Sequence, residues 1–597
     1  MPRPRNAQEL IHWIEEGAGA RWIWRAALLA GIVVLSLIVA WKQFHGPVSE
    51  STLVQADVGR QLARGEGFTT LVNYPQTMAF LQTRGVRFDP RKPYPELHHA
   101  PLYSLAIAAG LRLLPATTRM ALFATAPAPP DGFGGDYFLL GLNLALLWLA
   151  AGQTYDLGRR LFAPRVGGLA ALALLVSVAV WQQTVAVNGT VLLMVLVLAA
   201  FQIWQRIEAA ADGAGRASVG WLAALGAVCG LLFLAEYSAG ALLLVALGYA
   251  AGRFGGRARV VALVAVTVGA VAIAAPWLVR NTRLAGNPVA LAAYNLALKA
   301  GDPTAEPATL RATLSAEAPP LSLNKLGNKA LATLQETLKS RLWAGGGMFL
   351  TAFFVAGWLY GFHSRAANRL RWLFVVAFAV LLMAQACCNS GESECQPAVY
   401  LAPLVMIFGA GFFYVLVESS APVTAWPRLA GAVLLAAQAL PLAHDALEPR
   451  RIHFQYPPYF PVQFIGLRLE LEQRDPAGRF GMMADVPAGA AWYGQLRTWA
   501  QPLRLRDFYA ITLEQPVAEH LLTPRTLDRP FFSELSARPV LPGAIAAGPS
   551  RFGEWGQIYA GFLTGRLPAE FPLRLSKKWA ENLYVLYDSA LPPPRGK

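Results

Sequence analysis

The sequence predicts an all-α polytopic membrane domain of about 11 to 13 transmembrane helices, followed by a small soluble α/β domain. Hydrophobic residues make up 55% of the 597 residues and charged residues only 15%, with a mean hydropathy of +0.39. A soluble chain of this length would carry about 25% charged residues. Apolar runs recur between residues 21 and 443, whereas residues 444–597 have an ordinary soluble composition. The membrane domain therefore comes first and the soluble domain last.

The membrane domain is predicted from the lengths of its apolar runs, because a spanning helix needs about 20 mostly apolar residues. The pair 218–234 and 237–252 could form one broken element, so the parity of the crossings stays open. The candidate spans are 21–42, 101–115, 137–155, 165–183, 188–205, 218–234, 237–252, 259–279, 343–362, 370–388, 397–417 and 427–443.

Basic residues near the helix ends predict the orientation, since loops rich in Arg and Lys stay in the cytoplasm. They place residues 1–20 and the loops around 206–217 and 253–259 in the cytoplasm. The large loops 43–100 and 281–341 then face the other side. Simple alternation through the candidates before residue 280 gives the opposite result, so one short segment is miscounted or re-entrant. The first apolar run has no small-residue cleavage site after it, so we expect no cleavable signal peptide.

The C-terminal region shows the pattern of a small α/β domain, which we expect in the periplasm. Residues 479–485 have the composition of a buried strand, and the following Val-Pro-Ala-Gly and Ala-Ala-Trp-Tyr predict a turn and a helix. Residues 584–588 predict a closing strand. No repeat of 20 to 50 residues is apparent, which disfavours a solenoid.

The net charge of +15 predicts cytoplasmic loops and contact with membrane phospholipids. It does not predict nucleic-acid binding, because the arginines are spread between apolar runs. Cys229 has the setting of a small core residue. Cys387, Cys388 and Cys395 flank a short loop, where a Cys388–Cys395 bridge and free thiols are both compatible with the spacing. Metal binding there is disfavoured, because no histidine is near.

The first large loop contains a predicted helix with one apolar stripe. Val54, Val58 and Leu62 recur at intervals of four residues, and Gly65 and Gly67 are typical of a helix end. We therefore expect a short amphipathic helix on the membrane surface, with Glu50 at its start.

Five ionisable residues of this loop are candidates for function. The ordinary role of Glu50 is to stabilise a helix N-terminus, and that of Asp57 is to lie on the polar face. Glu96, His98 and His99 could simply be solvated or interfacial. However, ionisable groups that face a cavity at membrane depth are functional candidates.

Four motifs along the chain carry a resemblance to a known superfamily. They are Leu-x-x-Gly-x-Gly-Phe at 62–68, Ala-Pro-Leu-Tyr at 100–103, Pro-Trp-Leu-Val-Arg-Asn at 276–281, and Asp-Val-Pro with Ala-Trp-Tyr within 485–493. In this order they resemble the C-type membrane glycosyltransferase superfamily, more narrowly the protein mannosyltransferase and lipid A aminoarabinose transferase group. The resemblance covers nearly the whole chain and depends on the order of the motifs.

The resemblance implies an enzyme that moves a sugar from a polyprenyl-phosphate donor to an acceptor hydroxyl, with inversion at the sugar. The acceptor could be a lipid, a glycan or a protein. A carboxylate would take the proton of the acceptor hydroxyl, and cations would stabilise the leaving phosphate. Glu50 is the first candidate for this base and Asp57 the second. The expected location is a prokaryotic inner membrane, with the active side facing the periplasm.

The resemblance also implies a donor-phosphate pocket at the interface. A divalent metal held by Glu96, His98 and His99 is one way to bind the phosphate. The residues expected around the pocket are Arg91, Lys92, Glu96, His98, His99, Tyr103, Arg280 and Arg283.

The sequence departs from the family pattern at three places. The expected aspartate falls on about Ser51, next to Glu50; Glu236 stands where relatives often have Lys; and residues 392–400 lack a common Arg. These changes favour a second hypothesis, a non-catalytic membrane scaffold or assembly subunit. A third hypothesis is a transporter of lipid-linked sugars, which the lack of an internal repeat disfavours.

Overall fold

The computed structural model describes residues 18–47, 49–86, 89, 92–124, 132–212, 219–298, 307–340, 347–388, 395–419, 426–448, 461–527, 554–569, 571–580 and 583–588. Helices of the N-terminal part are α1 (Ala18–Gln43), α2 (Glu50–Arg64), α3 (Pro75–Thr83), α4 (Leu102–Leu113), α5 (Ala116–Ala124), α6 (Gly134–Leu161), α7 (Pro164–Leu175), α8 (Val178–Val185), α9 (Thr190–Asp212), α10 (Val219–Ala235), α11 (Leu242–Arg253) and α12 (Gly256–Ala285).

The second half of the membrane domain contains α13 (Pro307–Arg311), α14 (Leu323–Ser340), α15 (Met348–Ala356), α16 (Arg365–Cys388), α17 (Pro397–Tyr400), α18 (Ala402–Ser419) and α19 (Pro427–Leu447). The C-terminal domain contains α20 (Pro461–Arg474), α21 (Pro487–Trp492), α22 (Leu505–Glu514) and α23 (Glu554–Thr564). Its strands, together with three short ones from the first loop, are β1 (Thr69–Thr70), β2 (Val72–Asn73), β3 (Tyr94–Pro95), β4 (Gly481–Ala484), β5 (Thr498–Ala500), β6 (Val517–Leu522), β7 (Leu573–Ala580) and β8 (Leu583–Asp588).

Each predicted span coincides with a helix or a helix pair. Within the described ranges, seven helices are long and apolar enough to cross a bilayer, or nine if each of two bent pairs is one span. The bent pairs are α4 with α5 and α7 with α8. The described ranges also contain two shorter apolar helices, Val219–Ala235 and Met348–Leu359. The chain is a multi-pass membrane protein, and the predicted fold class is confirmed.

Glycines let the membrane helices approach closely. A Cβ atom at Gly226 of α10 would lie 2.0 Å from the carbonyl oxygen of Val266 in α12. Likewise, a Cβ atom at Gly269 of α12 would lie 2.1 Å from the carbonyl oxygen of Ala223 in α10. Apolar packing gives no hydrophobic gain over lipid, so close contact between small residues is what holds such helices together.

The strands of the C-terminal domain form one six-stranded sheet of order β2-β5-β4-β6-β8-β7. Strands β2, β5, β4 and β6 are parallel, and β8 runs antiparallel to both of its neighbours, β6 and β7. The predicted strand, turn and helix around residue 485 are confirmed as β4 and α21, and the closing strand is β8. However, β2 comes from the first membrane loop, which the sequence did not indicate.

The predicted helix of the first loop is confirmed, since α2 ends at Gly65 with φ +93°. Its predicted position on the membrane surface is wrong. The helix is buried on both its apolar and its polar side, because it packs between α4 and the C-terminal helix α21. A Cβ at Gly59 would lie 2.6 Å from Ile107 of α4, so this position needs glycine.

All four cysteines are free thiols, so the structure contains no Cys388–Cys395 bridge. Cys229 is buried in the helical core, as its setting predicted.

Candidate active site

Glu50 begins helix α2 at the junction between the membrane domain and the C-terminal sheet. Ser49 caps the helix, and the Glu50 side chain, which is 16% exposed, lies in its first turn. Oε1 accepts a hydrogen bond of 2.8 Å from the hydroxyl of Tyr74. Oε2 accepts one of 2.9 Å from Nη2 of Arg525. The carboxylate therefore joins the first loop to the C-terminal domain.

Arg311 is the second cation near this carboxylate. It ends the short helix α13 of the second large loop, and its guanidinium lies 5.3 Å from the ring centroid of Tyr74. The next carbonyl, that of Ala312, accepts a hydrogen bond of 2.7 Å from the backbone N–H of Leu503, just after β5. Both large loops and the sheet thus meet around Glu50.

The charges around Glu50 decide its protonation. Burial alone raises the pKa of this carboxyl, because it disfavours the charged form. The positive charges of Arg525 and Arg311 and the hydrogen bond from Tyr74 outweigh burial, and they hold the pKa below its ordinary value. Glu50 is therefore ionised at neutral pH.

Arg525 is held in place by Asp485, the aspartate of the predicted Asp-Val-Pro motif. Oδ2 of Asp485 accepts hydrogen bonds from the backbone N–H and hydroxyl of Thr523, both 2.8 Å, and from the hydroxyl of Thr526 at 2.7 Å. These bonds fix the 3₁₀ turn Pro524–Leu527, which carries Arg525. Burial raises the pKa of Asp485, although the threonine donors and the charge of Arg525 oppose it.

The site lies at the carboxyl ends of the parallel strands. Strand β4 lies between β5 and β6 in the sheet. The chain passes from β4 through α21 to β5 on one side of β4, and then through α22 to β6 on the other side of β4. Ligands of open α/β sheets bind outside the carboxyl ends at such a switch point. Asn73, Asp485 and Gln501 stand at these ends, and each has a buried polar atom without a hydrogen-bond partner in the described part of the chain. Such atoms are costly to leave unpaired, so this edge is suited to a polar ligand.

The predicted cluster of Glu96, His98 and His99 forms next to this site. Oε1 of Glu96 accepts hydrogen bonds from the backbone N–H of His98 at 2.6 Å and of His99 at 3.0 Å, and it lies 3.0 Å from Nδ1 of His99. The ring of His98 packs edge-on against Tyr74, with centroids 5.4 Å apart, so Tyr74 connects the cluster to Glu50.

The structure does not support the predicted metal site in this cluster. Glu96 directs one oxygen to the two amides and to His99, while Nε2 of His98 lies 3.1 Å from the hydroxyl of Thr77. Among the residues that the structure describes, no group of three or more His, Cys, Asp or Glu could hold a metal ion. Burial and the charge of Arg311 place the pKa of His98 well below its ordinary value, so this ring is neutral.

Arg280 supports the cluster from the end of α12. Nη1 donates to the carbonyl of Glu96 and Nη2 to the carbonyl of Phe68, both at 3.1 Å. The guanidinium also lies 4.5 Å from the ring centroid of Trp277. The predicted approach of Arg280 to the first loop is therefore found. Its bonds to that loop go to backbone carbonyls, and Nη1 also donates to Oδ1 of Asn281 at 2.8 Å.

Asp57, the second candidate base, takes part in a buried ion pair instead. Its Oδ1 lies 2.5 Å from Nη2 of Arg60, and Oδ2 accepts from the backbone of Leu71 and the hydroxyl of Thr70. Asp57 is completely buried, so it does not lie on a solvated polar face as predicted. Both oxygens are occupied, which suits a structural role.

The other predicted residues have no hydrogen bond to Glu50 in the part of the chain that the structure describes, or they lie outside that part. The hydroxyl of Tyr103 donates to Oδ1 of Asn143 and to the carbonyl of Val187, within the helical core. Lys92 and Arg283 are exposed. Arg91 lies outside the described residues.

Sequence reasoning missed Tyr74, Arg311 and Arg525, although they surround Glu50. The one local signal was Tyr74, which directly precedes a Pro at the start of a helix. The two arginines come from segments more than 200 residues away and carry no motif.

No family model matches this chain, and no curated protein matches it. It matches 19 chains of solved structures. One is the apo oligosaccharyltransferase of Archaeoglobus fulgidus, with a TM-score of 0.49 and 12% identity over 86% of this chain and 70% of that chain. Another is ArnT from Cupriavidus metallidurans bound to undecaprenyl phosphate, with a TM-score of 0.49 and 13% identity over 95% of this chain and 98% of that chain.

Both proteins are C-type glycosyltransferases, the superfamily that the sequence motifs resemble. Because the TM-scores lie below 0.5, these likenesses carry no inference about the residues of the site.

Proposed function

We propose that the chain is a membrane glycosyltransferase that moves a sugar from a polyprenyl-phosphate donor to an acceptor hydroxyl, with Glu50 as the base. The observation that carries this proposal is the position of Glu50 beside Arg311 and Arg525, where both large loops meet the carboxyl edge of the sheet. The sequence motifs suggest the class of reaction. The site brings one carboxylate, that of Glu50, close to the two guanidinium groups of Arg311 and Arg525.

The proposed reaction is a single displacement. The acceptor oxygen attacks the anomeric carbon, the bond from that carbon to the phosphate oxygen breaks, and the phosphate leaves with the electron pair. Glu50 takes the proton of the acceptor hydroxyl. Attack from the side opposite to the phosphate inverts the sugar.

Donor binding would activate Glu50. Its pKa is held low by the two guanidinium charges, which makes it a weak base in the resting site. When a donor phosphate shares those guanidinium groups, its negative charge opposes theirs, and the pKa of Glu50 rises. Base strength is thereby coupled to the presence of donor.

We assign the donor phosphate to Arg311 and Arg525, because planar guanidinium groups bind phosphate oxygens in pairs. The polyprenyl tail would lie in the bilayer among the membrane helices. Arg280, Glu96, His98 and His99 would form one wall of this pocket. Lys92 and Arg283 are exposed and would contact lipid headgroups.

The acceptor would enter at the carboxyl edge of the sheet. Both amide atoms of Asn73 and Nε2 of Gln501 have no hydrogen-bond partner in the described part of the chain. The two nitrogens can donate to hydroxyl groups, and Oδ1 of Asn73 can accept from them. This suits an acceptor rich in hydroxyls, such as a glycan or a glycolipid. We place the site on the periplasmic face of a prokaryotic inner membrane.

The test is a density map of the purified protein with added undecaprenyl phosphate. We expect phosphate density within about 4 Å of Arg311 and Arg525, a range in which charges couple strongly. Arg311→Gln and Arg525→Gln should remove that density, while Arg283→Gln, a matched loss of charge at an exposed arginine, should retain it. Phosphate bound elsewhere, with the space around Glu50 closed, would reject the proposal.

A non-catalytic scaffold is the second candidate function, and one observation favours it. Both oxygens of Glu50 already have partners, Tyr74 and Arg525, so the carboxylate could simply join the first loop to the C-terminal domain. Consumption of polyprenyl-phosphate-linked sugar by membranes that contain the wild type, but not Glu50→Gln, would exclude this role.

A further inference from the structure

Helix α14 of the second large loop exposes a stripe of leucines. The side chains of Leu323, Leu331 and Leu338 are 86%, 56% and 50% exposed. In a helix of about 3.6 residues per turn, this spacing places all three within roughly 80° of one another around the axis. A continuous stripe of large apolar side chains on the surface marks a site of contact with another apolar phase.

The rest of the helix surface consists of a polar side and a buried side. Asn328, Ala332 and Lys339 are exposed on the side away from the leucines. Lys329 and Ala330 lie on the buried side, by which α14 packs on the protein and contacts the membrane helix α16. The helix therefore exposes an apolar side next to a polar one, which is the pattern of a helix that lies at a boundary between acyl chains and water.

The fold places α14 at such a boundary. Nζ of Lys329 donates to the carbonyls of Asn295 at 2.6 Å and Leu296 at 3.3 Å, in the second loop. The same ammonium interacts electrostatically with the thiol of Cys388, the last residue of α16. Met383 of this membrane-spanning helix is 49% exposed. The five residues from there to the helix end rise only about 8 Å, so the lipid-facing surface of α16 reaches close to α14.

We propose that α14 lies in the plane of the membrane, on the face that carries the candidate site, with Leu323, Leu331 and Leu338 inserted among lipid acyl chains. The lipid boundary is the partner that fits, because it satisfies the apolar stripe and the adjoining polar side at the same time. Interfacial helices insert about 5–10 Å deep. Lys325 and Lys339, near the two ends of the helix, add positive charge at the level of the lipid phosphates. The proposal does not depend on the glycosyltransferase function.

Insertion of α14 would also fix the depth of the loop that carries Arg311. The hydroxyl of Tyr294 donates to the carbonyl of Ala316 at 2.9 Å, and the next carbonyl, that of Asn295, accepts from Lys329. Tyr294 and Asn295 belong to one 3₁₀ helix, so the segment after Arg311 and helix α14 are attached to the same element. The leucine stripe would thereby hold this loop at a constant distance from the lipid headgroups.

The experiment measures the environment of single fluorophores on α14 in the purified full-length protein, reconstituted in nanodiscs of phosphatidylethanolamine and phosphatidylglycerol. Nitrobenzoxadiazole is attached at Leu323→Cys or Leu331→Cys, and in parallel at the exposed neighbours Asn324→Cys or Ala332→Cys. Each neighbour differs by about 1.5 Å along the axis and about 100° around it, so the pairs are matched in height and differ in direction. Spin-labelled lipid quenches from the acyl region, and iodide quenches from water.

We expect the label at the two leucine positions to emit at shorter wavelength, to lose fluorescence to lipid spin-labelled near the headgroup, and to be protected from iodide. The label at the two neighbours should be quenched by iodide and not by lipid. Equal quenching by iodide within each pair would overturn the proposal, because the stripe would then lie in water. Protection of the leucine positions from both quenchers would overturn it as well, since a protein surface would then cover the stripe.

Two controls make the labelling specific. All variants carry Cys387→Ala and Cys388→Ala, which remove the two half-buried thiols, and the parent without a new cysteine measures labelling at the buried Cys229 and Cys395. Leu513→Cys replaces a leucine of the C-terminal domain that is 89% exposed, and we expect iodide alone to quench its label. Melting temperatures verify that each variant is folded.

Discussion

Arg525 and Glu50 are 475 positions apart in the sequence, yet Nη2 of Arg525 lies 2.9 Å from Oε2 of Glu50. Glu50 starts the first helix of the first membrane loop, and Arg525 lies in the turn after β6 of the C-terminal sheet. The environment of the candidate base is therefore complete only when the C-terminal domain is docked on the membrane domain.

Two further sets of contacts maintain that docking. Arg60 of α2 donates to the backbone carbonyls of Ala491 and Trp492 at 2.7 Å each. Asp136, in the first turn of α6, accepts from the indole of Trp492 at 2.9 Å and the hydroxyl of Tyr493 at 3.0 Å. The predicted Ala-Trp-Tyr motif thus serves to attach the domain close to Glu50.

The first prediction concerns Glu50→Gln, which keeps the shape of the side chain but cannot take a proton. We expect the transfer rate to fall about 10²- to 10⁴-fold, the usual contribution of general base catalysis. Affinity for undecaprenyl phosphate should stay the same or rise, because Arg311 and Arg525 lose a competing negative charge. Transfer assays and lipid-binding measurements on one preparation would separate the two effects.

Glu66→Gln is the matched control, since Glu66 is exposed just after the same helix. It should leave both measurements unchanged. If Glu50→Gln keeps full activity, Glu50 is not the base.

The second prediction concerns Asp57→Ala, which leaves Arg60 buried without its ionic partner. Removing one member of a buried ion pair costs about 3–5 kcal/mol, so we expect a large fall in the free energy of unfolding. The activity of the molecules that remain folded should change little, since Asp57 does not contact the site around Glu50. Replacing Arg60 by Leu in the same variant should restore part of the stability. A loss of activity without loss of stability would instead mark Asp57 as catalytic.

Local patterns predicted the membrane helices, whereas the site depends on contacts that a single sequence does not encode locally. Apolar runs and the helix end at Gly65 need only neighbouring residues, so they were predicted well. Asp57 was predicted on a solvated face, but it is buried. Helix α21 covers this part of α2, and the ion pair with Arg60 compensates the charge of Asp57. Strand β2 has two residues, too few to show an alternating pattern. Arg311 and Arg525 reach Glu50 only through tertiary structure.

The third prediction concerns Asp485 as a positioning residue for Arg525. Asp485→Asn weakens the acceptor of three hydrogen bonds that hold the turn Pro524–Leu527. We expect affinity for undecaprenyl phosphate to fall several-fold in Asp485→Asn and in Arg525→Gln. The double variant should be no weaker than Arg525→Gln, because both changes act through one side chain.

Asp475→Asn provides the comparison, since Asp475 is also buried and accepts a backbone hydrogen bond from Phe480, but it lies away from that turn. Its effect should add to that of Arg525→Gln. Additive effects for Asp485→Asn would show that Asp485 acts only on the stability of the domain.

The fourth prediction concerns pH and His520, which is completely buried in the C-terminal domain. Its ring lies 4.9 Å from that of Trp555 and 6.1 Å from that of Phe508, and Nε2 lies 3.1 Å from Oε1 of Gln501. Burial lowers the pKa of His520 to about 3, because the charged form would lose its hydration. In the unfolded chain the pKa is about 6.5.

The sign of the pH effect follows from these two pKa values. Below pH 6.5 the unfolded chain binds a proton at His520 that the folded chain binds only near pH 3, so stability is complete above pH 6.5 and falls as the solution is acidified. One such group costs up to about 1.4 kcal/mol per pH unit in that window. We expect melting temperatures to drop between pH 7 and 4.5, and His520→Gln to drop less. His444→Gln, a change at an exposed histidine, should follow the wild type. An equal drop in His520→Gln and wild type would assign the acid sensitivity to other groups, such as His98, whose pKa is also lowered by burial.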